Sequence, residues 1–307
     1  MELLNEEIFS KNIKAIINEA REILHPHLLY IYVTDERFWG AAGTGEETSN
    51  GDFIIKIHKD HLNEYVLSHE LLHICSKRHG MVPMVSSIND NSLAELIAMA
   101  LQSYLEHKWI ISEQLRIGIS IDDDHRFDDL LKHIEEKDFI QHIQKVLILN
   151  DMIRTHPELY MSRRDTYIKA IPRVVEHSER IMRFYSENEI YSIFEAKRIT
   201  VKAIKELQKI FDENNVDIGN LSFTIIVAPV FSTSQMERMA NASLDYIPNA
   251  IQNRQTGEII DIICTSSDGQ CCGMFLHNSL SHATETALRS LKLSEFVEKT
   301  SIPFHIR

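Results

Sequence analysis

The residues with the clearest chemical use are His69-Glu70-Leu71-Leu72-His73, an HExxH pattern. On a helix, two imidazoles four residues apart fall about 40° apart around the axis and one turn apart along it, so both can reach one ion. Glu70 flanks them, about 60° from His73. A carboxylate there stands beside the ion without displacing a ligand. It can take a proton from a metal-bound water whose pKa zinc lowers to about 7. The chemistry that follows is hydrolysis of a polarised carbonyl.

The residues around the pattern bear on whether it is used. Leu62 and Val66 share the histidine face, while Leu67, Leu71, Leu72, Ile74 and Cys75 fill the opposite arc. A helix apolar nearly all round is a buried one. Two histidines and a glutamate buried without partners are costly, and a metal ion is an economical partner. The competing reading is a pair of hydrogen-bonded core histidines beside an ion-paired glutamate.

On this motif the chain resembles the zincin metallopeptidases, over about residues 1–110. The resemblance implies zinc held by His69 and His73, with Glu70 as general base. It also implies a substrate-binding edge strand before the motif, and DFIIKIH at 52–58 stands just upstream. Catalytic zinc takes a third protein ligand and keeps one open position. Glu95, in SLAELIAMALQSYLEH, lies 22 residues after His73 and is the leading candidate, because gluzincins draw a glutamate from a downstream helix. Glu106 lies three turns further on nearly the same face. His79 follows His73 by six residues, the spacing of the metzincin pattern HExxHxxGxxH. Ser76 stands where that pattern has glycine, and serine is less tolerant of positive φ. No methionine-turn segment can be assigned. Glu95 also reads as solvated surface, since it shares a face with Gln102 and Glu106.

An oxyanion-stabilising group is expected near the polarised carbonyl, and Tyr65, His79, Tyr104 and His107 are available. Each reads equally as packing or surface, as does His58 at the end of the presumed edge strand. The order of blocks also resembles the bacterial ImmA/IrrE group, metallopeptidases that cleave repressors in stress or phage responses. The chain departs from that group at Tyr65-Val66-Leu67-Ser68, and at Leu72, where those proteins often have glycine.

The elements that must position these residues follow from pattern. Residues 4–24 read as an amphipathic helix, ended by the proline at 26. Leu28–Val33 and Asp52–His58 read as strands around a loop at 40–51. Asp60 is placed to cap a helix over 61–78, and Ser92–Ile111 forms the next. From 126 to about 214 the pattern is helical, with breaks near Asn150, Pro157 and Asn188 and a kink at Pro172. Beyond it, Leu221–Val230 reads as a strand, Thr233–Leu244 as a helix and Glu258–Ser266 as a strand. A strand near Gly273–His277 makes a hairpin with the last, and Ser281–Val297 closes the chain as a helix.

The expected fold is therefore α+β in three blocks. These are a zincin-like metallopeptidase domain over 1–115, a helical bundle over 116–215 and a small α/β domain over 216–307, read as a sensor or substrate-recognition element. The alternating charged and apolar stripes of 163–214 suggest a bundle face and a homodimer interface.

Composition narrows the functional classes. The 307 residues are 44% hydrophobic and 25% charged, as in an ordinary globular protein, and carry a formal charge of -13. That charge repels phosphate backbones, so nucleic acid is not an expected partner. No apolar run reaches membrane-span length. The start, MELLNEEIFSKN, has acids where a secretory signal has base and an apolar stretch. Four cysteines without a CxxC pair argue against a disulfide framework or thiolate zinc knuckle, and fit a reducing cytoplasm. The sequence thus predicts a cytoplasmic zinc metalloprotease acting on a protein or peptide, with a non-cleaving zincin-fold binding protein as the alternative.

Overall fold

Helix α1 (Lys11–Leu24) begins at Ser10, whose hydroxyl caps Ile13 N–H, and buries Ile13, Ile17 and Ala20 completely. These recur at helical spacing, so one stripe faces the core and charged residues face water. The computed structural model describes all residues except 1, 37–42, 80–84, 88–91, 120–130, 133, 135–136, 187–191, 253–256 and 278–280. It divides into two compact units, Met1–Val82 with Leu105–His133, and Pro83–Tyr104 with Ile134–Arg307.

The first unit holds a four-stranded sheet built from β1 (Glu2–Leu3), β2 (Leu29–Thr34), β3 (Gly43–Glu47) and β4 (Phe53–His58), in the order β1-β2-β4-β3. β2 and β4 run parallel, while β1 and β3 are antiparallel to their neighbours. The strand expected at the edge, 52–58, is therefore interior. The edge is β3, inside the segment read as loop. Its glycines depress strand propensity, yet they are required by what lies against them, as shown below.

Helix α2 (Glu64–Cys75) starts at Asn63, which caps Val66 N–H, and not at Asp60. Residues Lys59–His61 form a 3-10 turn in which His58 accepts from Asp60 N–H, so the α-helix opens later than predicted. Glu64, in the first turn of α2, accepts from Ser10 N–H and Oγ at 2.6 and 3.0 Å and ties α2 to the start of α1. Ile13, Ile17, Ile55, Ile57, Leu67, Leu71 and Ile110 close a common core. Each such side chain contributes about 1.5–3 kcal/mol by leaving water.

In the second unit β5 (Val85–Ser87) precedes helix α3 (Ser92–Arg116), which runs on into the first unit. Helices α4 (Phe139–Thr155), α5 (Pro157–Ala170), α6 (Pro172–Ser186) and α7 (Ile193–Glu213) follow. Pro172 opens a helix instead of kinking one. The missing N–H of proline costs nothing at the first position, and Ile171 before it is non-helical.

Next come β6 (Ile225–Val227) and β7 (Val230–Phe231). An antiparallel sheet of β8 (Leu244–Gln252), β9 (Ile259–Thr265) and β10 (Cys271–Leu276) follows, with β9 central. Helices α8 (Ser281–Ser290) and α9 (Leu293–Thr300) and strand β11 (His305–Ile306) complete the chain. The strand expected over 221–230 begins as a helical turn, Leu221–Thr224, started by the Asn220 side chain, and is broken near Pro229. The helix expected over 233–244 amounts to one turn, Thr233–Met236, and a 3-10 turn. The closing helix is two helices.

The helical stretch and the C-terminal sheet, read as separate blocks, share one unit. Lys197 of α7, almost wholly buried, joins Asp268 in the β9–β10 turn at 2.7 Å. The fold is mixed α+β, and among the described residues no helix is long and apolar enough to cross a membrane. All four cysteines are free and buried, and burial pushes the Cys75 thiol up to about 12.

Candidate metal centre

His69 and His73 stand on the same face of α2, as their spacing requires, with Nε2 atoms 3.3 Å apart. The third group is His107 of α3. One ligand nitrogen from each of the three imidazoles lies within 4.8 Å of the others. The ring centroids are 4.9 Å apart for His69–His73, 4.7 Å for His69–His107 and 5.3 Å for His73–His107. All three side chains are half-buried, open enough for exchange with solvent and dry enough to be held.

Glu106, the residue before His107, is buried and approaches His73 Nδ1 at 2.6 Å. An ionised carboxylate only accepts, so Nδ1 carries the proton and the Nε2 lone pair of His73 faces the cluster. This is the carboxylate–histidine arrangement that orients metal-binding imidazoles. The spacing suits zinc as well. Two bonds of 2.0–2.1 Å at a tetrahedral angle place their nitrogens about 3.3–3.4 Å apart, which the His69–His73 pair meets.

Helix α3 is fixed against α2 by Gln114, fully buried, whose Nε2 donates to Tyr65 O and Ser68 Oγ, both at 2.8 Å. Gln114 lies two turns past His107, on nearly the same face. No family model, curated protein or solved structure matches the chain. What the site can do rests on its own geometry.

Glu70 lies against the edge strand. A Cβ on Gly43 would meet Glu70 Cγ at 3.2 Å and Oε1 at 3.3 Å, and one on Gly45 would lie 4.0 Å from Oε2. The carboxylate is thus laid along β3. Glu70 is not in the donor group found among the described residues.

The other expected residues fall as follows. Glu95 is exposed in the first turn of α3, twelve residues before His107. It is not in the donor group found among the described residues. The chain continues from α2 into the 3-10 turn Ser76–His79, with Ser76 in ordinary right-handed backbone. The side chain of His79 lies outside the described part.

Tyr104 is fully buried and donates to Leu147 O at 2.8 Å, a core role, and burial raises its phenol well above the usual range. Tyr65 is half-buried with its ring 6.3 Å from that of His69. His58 is buried against the 3-10 turn. His277, which spacing does not join to His282, bonds through Nδ1 to the buried Asp261 at 2.8 Å.

From sequence, His107 is a candidate only for stabilising an oxyanion. The signal that marks it is the stripe Glu106, Ile110 and Gln114, at i, i+4 and i+8, all buried. Two polar residues on a buried stripe of a helix need partners across it.

Proposed function

We propose that the chain is a metal-dependent peptidase of the HExxH type, with a zincin-like layout in its first unit. His69, His73 and His107 would hold the ion, and Glu106 would orient His73 from behind. The observation that carries this reading is the convergence of three imidazole nitrogens, two of them at the separation of zinc ligands, beside a carboxylate that is not one of them. Three histidines with one open position are a known catalytic set for zinc. Held there, the ion would polarise a substrate carbonyl and acidify a water in the open position.

Glu70 takes the proton from the attacking water and passes it to the leaving amine nitrogen as the peptide bond breaks. Tyr65 stands beside His69 on the adjoining turn, with its ring 6.3 Å away, and a hydrogen bond from its phenol to the developing oxyanion is the role that fits this reading. β3 is the edge strand beside Glu70, so an extended substrate segment would pair with it. Placing His107 in the third position replaces Glu95 of the sequence reading.

Metal analysis of the purified protein and the Glu70→Gln variant test the reading together. One equivalent of zinc is expected in both proteins, with cleavage of a peptide library only by the wild type. Zinc without cleavage in the wild type would favour the binding-protein alternative. Substoichiometric zinc after reconstitution would remove both.

A further inference from the structure

We infer that Gly43 is a positioning residue, whose bare α-carbon sets where the Glu70 carboxylate lies. The inference rests on the reading of Glu70 as general base. The site-facing side of β3 carries glycine at 43 and again at 45, and the two are held there by different neighbours. At Gly43 the atoms a Cβ would meet are Glu70 Cγ at 3.2 Å, Lys56 O at 3.2 Å and Glu70 Oε1 at 3.3 Å. At Gly45 they are Phe53 Cε1 at 2.8 Å and Cζ at 3.0 Å, with Glu70 Oε2 only at 4.0 Å. Gly43 therefore makes room for the base, and Gly45 makes room for an aromatic ring.

Gly43 is also buried and in register with Ile57 of β4, an interior strand, so the backbone beneath Glu70 cannot easily retreat. A methyl group at 43 would press equally on Lys56 O, which is held in the sheet, and on the Glu70 side chain, which is the flexible one of the two. Its stem and Oε1 would turn away from β3 by a few tenths of an ångström. General-base transfer depends on hydrogen-bond reach to the attacking water, so a shift of that size is costly to turnover. It does not touch any imidazole, so metal binding is spared.

The test is a double-mutant cycle read by thermal melting, together with turnover of a quenched fluorogenic peptide selected from a random library on the wild type. Gly43→Ala is expected to keep its zinc and its KM while kcat falls by about threefold to tenfold. In the cycle, Gly43→Ala should lower Tm by several degrees in the wild type and by less than half as much in a Glu70→Ala background. If Gly43→Ala folds only in the Glu70→Ala background, the inference is likewise supported. Gly45→Ala is the control: Phe53→Leu should relieve it and Glu70→Ala should not. An additive Gly43–Glu70 cycle, failure to fold in both backgrounds, or an unchanged kcat would overturn the inference. If no library peptide is turned over by the wild type, the peptidase reading fails, and the melting cycle alone decides whether Gly43 places the carboxylate.

Discussion

Glu106 holds the Nδ1 of His73 at 2.6 Å from the position next to His107, so one turn of α3 supplies both a donor to the cluster and the brace for another donor. The brace fixes the tautomer, and its loss removes the carboxylate that accepts from His73 Nδ1. Glu106→Ala is expected to weaken zinc binding by about 10–100-fold. Glu106→Gln, which keeps an acceptor but not the charge, should weaken it less. Competition with a chromophoric chelator measures both, and an affinity unchanged in Glu106→Ala would remove Glu106 from the site.

His107 and Glu95 make opposite predictions for the third ligand. His107→Ala should leave the protein with well under one equivalent of zinc after dialysis against a weak chelator. Glu95→Ala, at an exposed position, should retain its zinc and its melting temperature. The reverse pattern would restore the gluzincin-like assignment.

Gln114 carries the register between the two helices of the site. Its amide N–H groups reach Tyr65 O and Ser68 Oγ, and it has no exposure to water. Gln114→Leu removes both donors at similar volume, and should cost about 1–3 kcal/mol in denaturant unfolding. Zinc affinity should fall with it, because His107 sits two turns away on the same helix. Stability lost with affinity intact would show that His107 is placed by other contacts.

The shared face of His69 and His73 in the candidate site was legible because its information is local: their four-residue spacing fixes it on a helix whatever the fold around them. The third imidazole of the cluster was not legible in the same way. It comes from another helix, 34 residues after His73, and its register is set by Gln114, whose partners the sequence does not announce. Glu95 and Glu106 fall on nearly the same face, so pattern alone could not say which end of α3 is covered. Burial separates them, with Glu106 8% exposed and Glu95 open to solvent. Apolar strands such as β2, β4 and β9 could be read directly. β3 and β8 could not, because the glycines of one and Pro248-Asn249 in the other depress strand propensity where tertiary contacts demand a strand. In β8 the register shifts between Ile247 and Ile251, with Asn249 at φ 54°.

His142 and His177 form a second histidine pair, buried between α4 and α6, with His142 Nε2 and His177 Nδ1 2.9 Å apart. Burial first, and then the neighbouring His142, push His177 down to about 4, below the usual 6.5. The unfolded chain therefore binds a proton that the folded chain refuses. The stability this arrangement contributes is complete above about pH 6.5 and is lost as pH falls toward 4. Tm should drop between pH 7 and 5 more steeply in the wild type than in His177→Gln, which cannot take up that proton. The measurement is a set of melts across this range on the full chain without added metal and with chelator present, so that acid release of a bound ion does not enter and the other histidines contribute equally to both proteins. Parallel Tm curves for the two proteins would show that another group governs the acid limb.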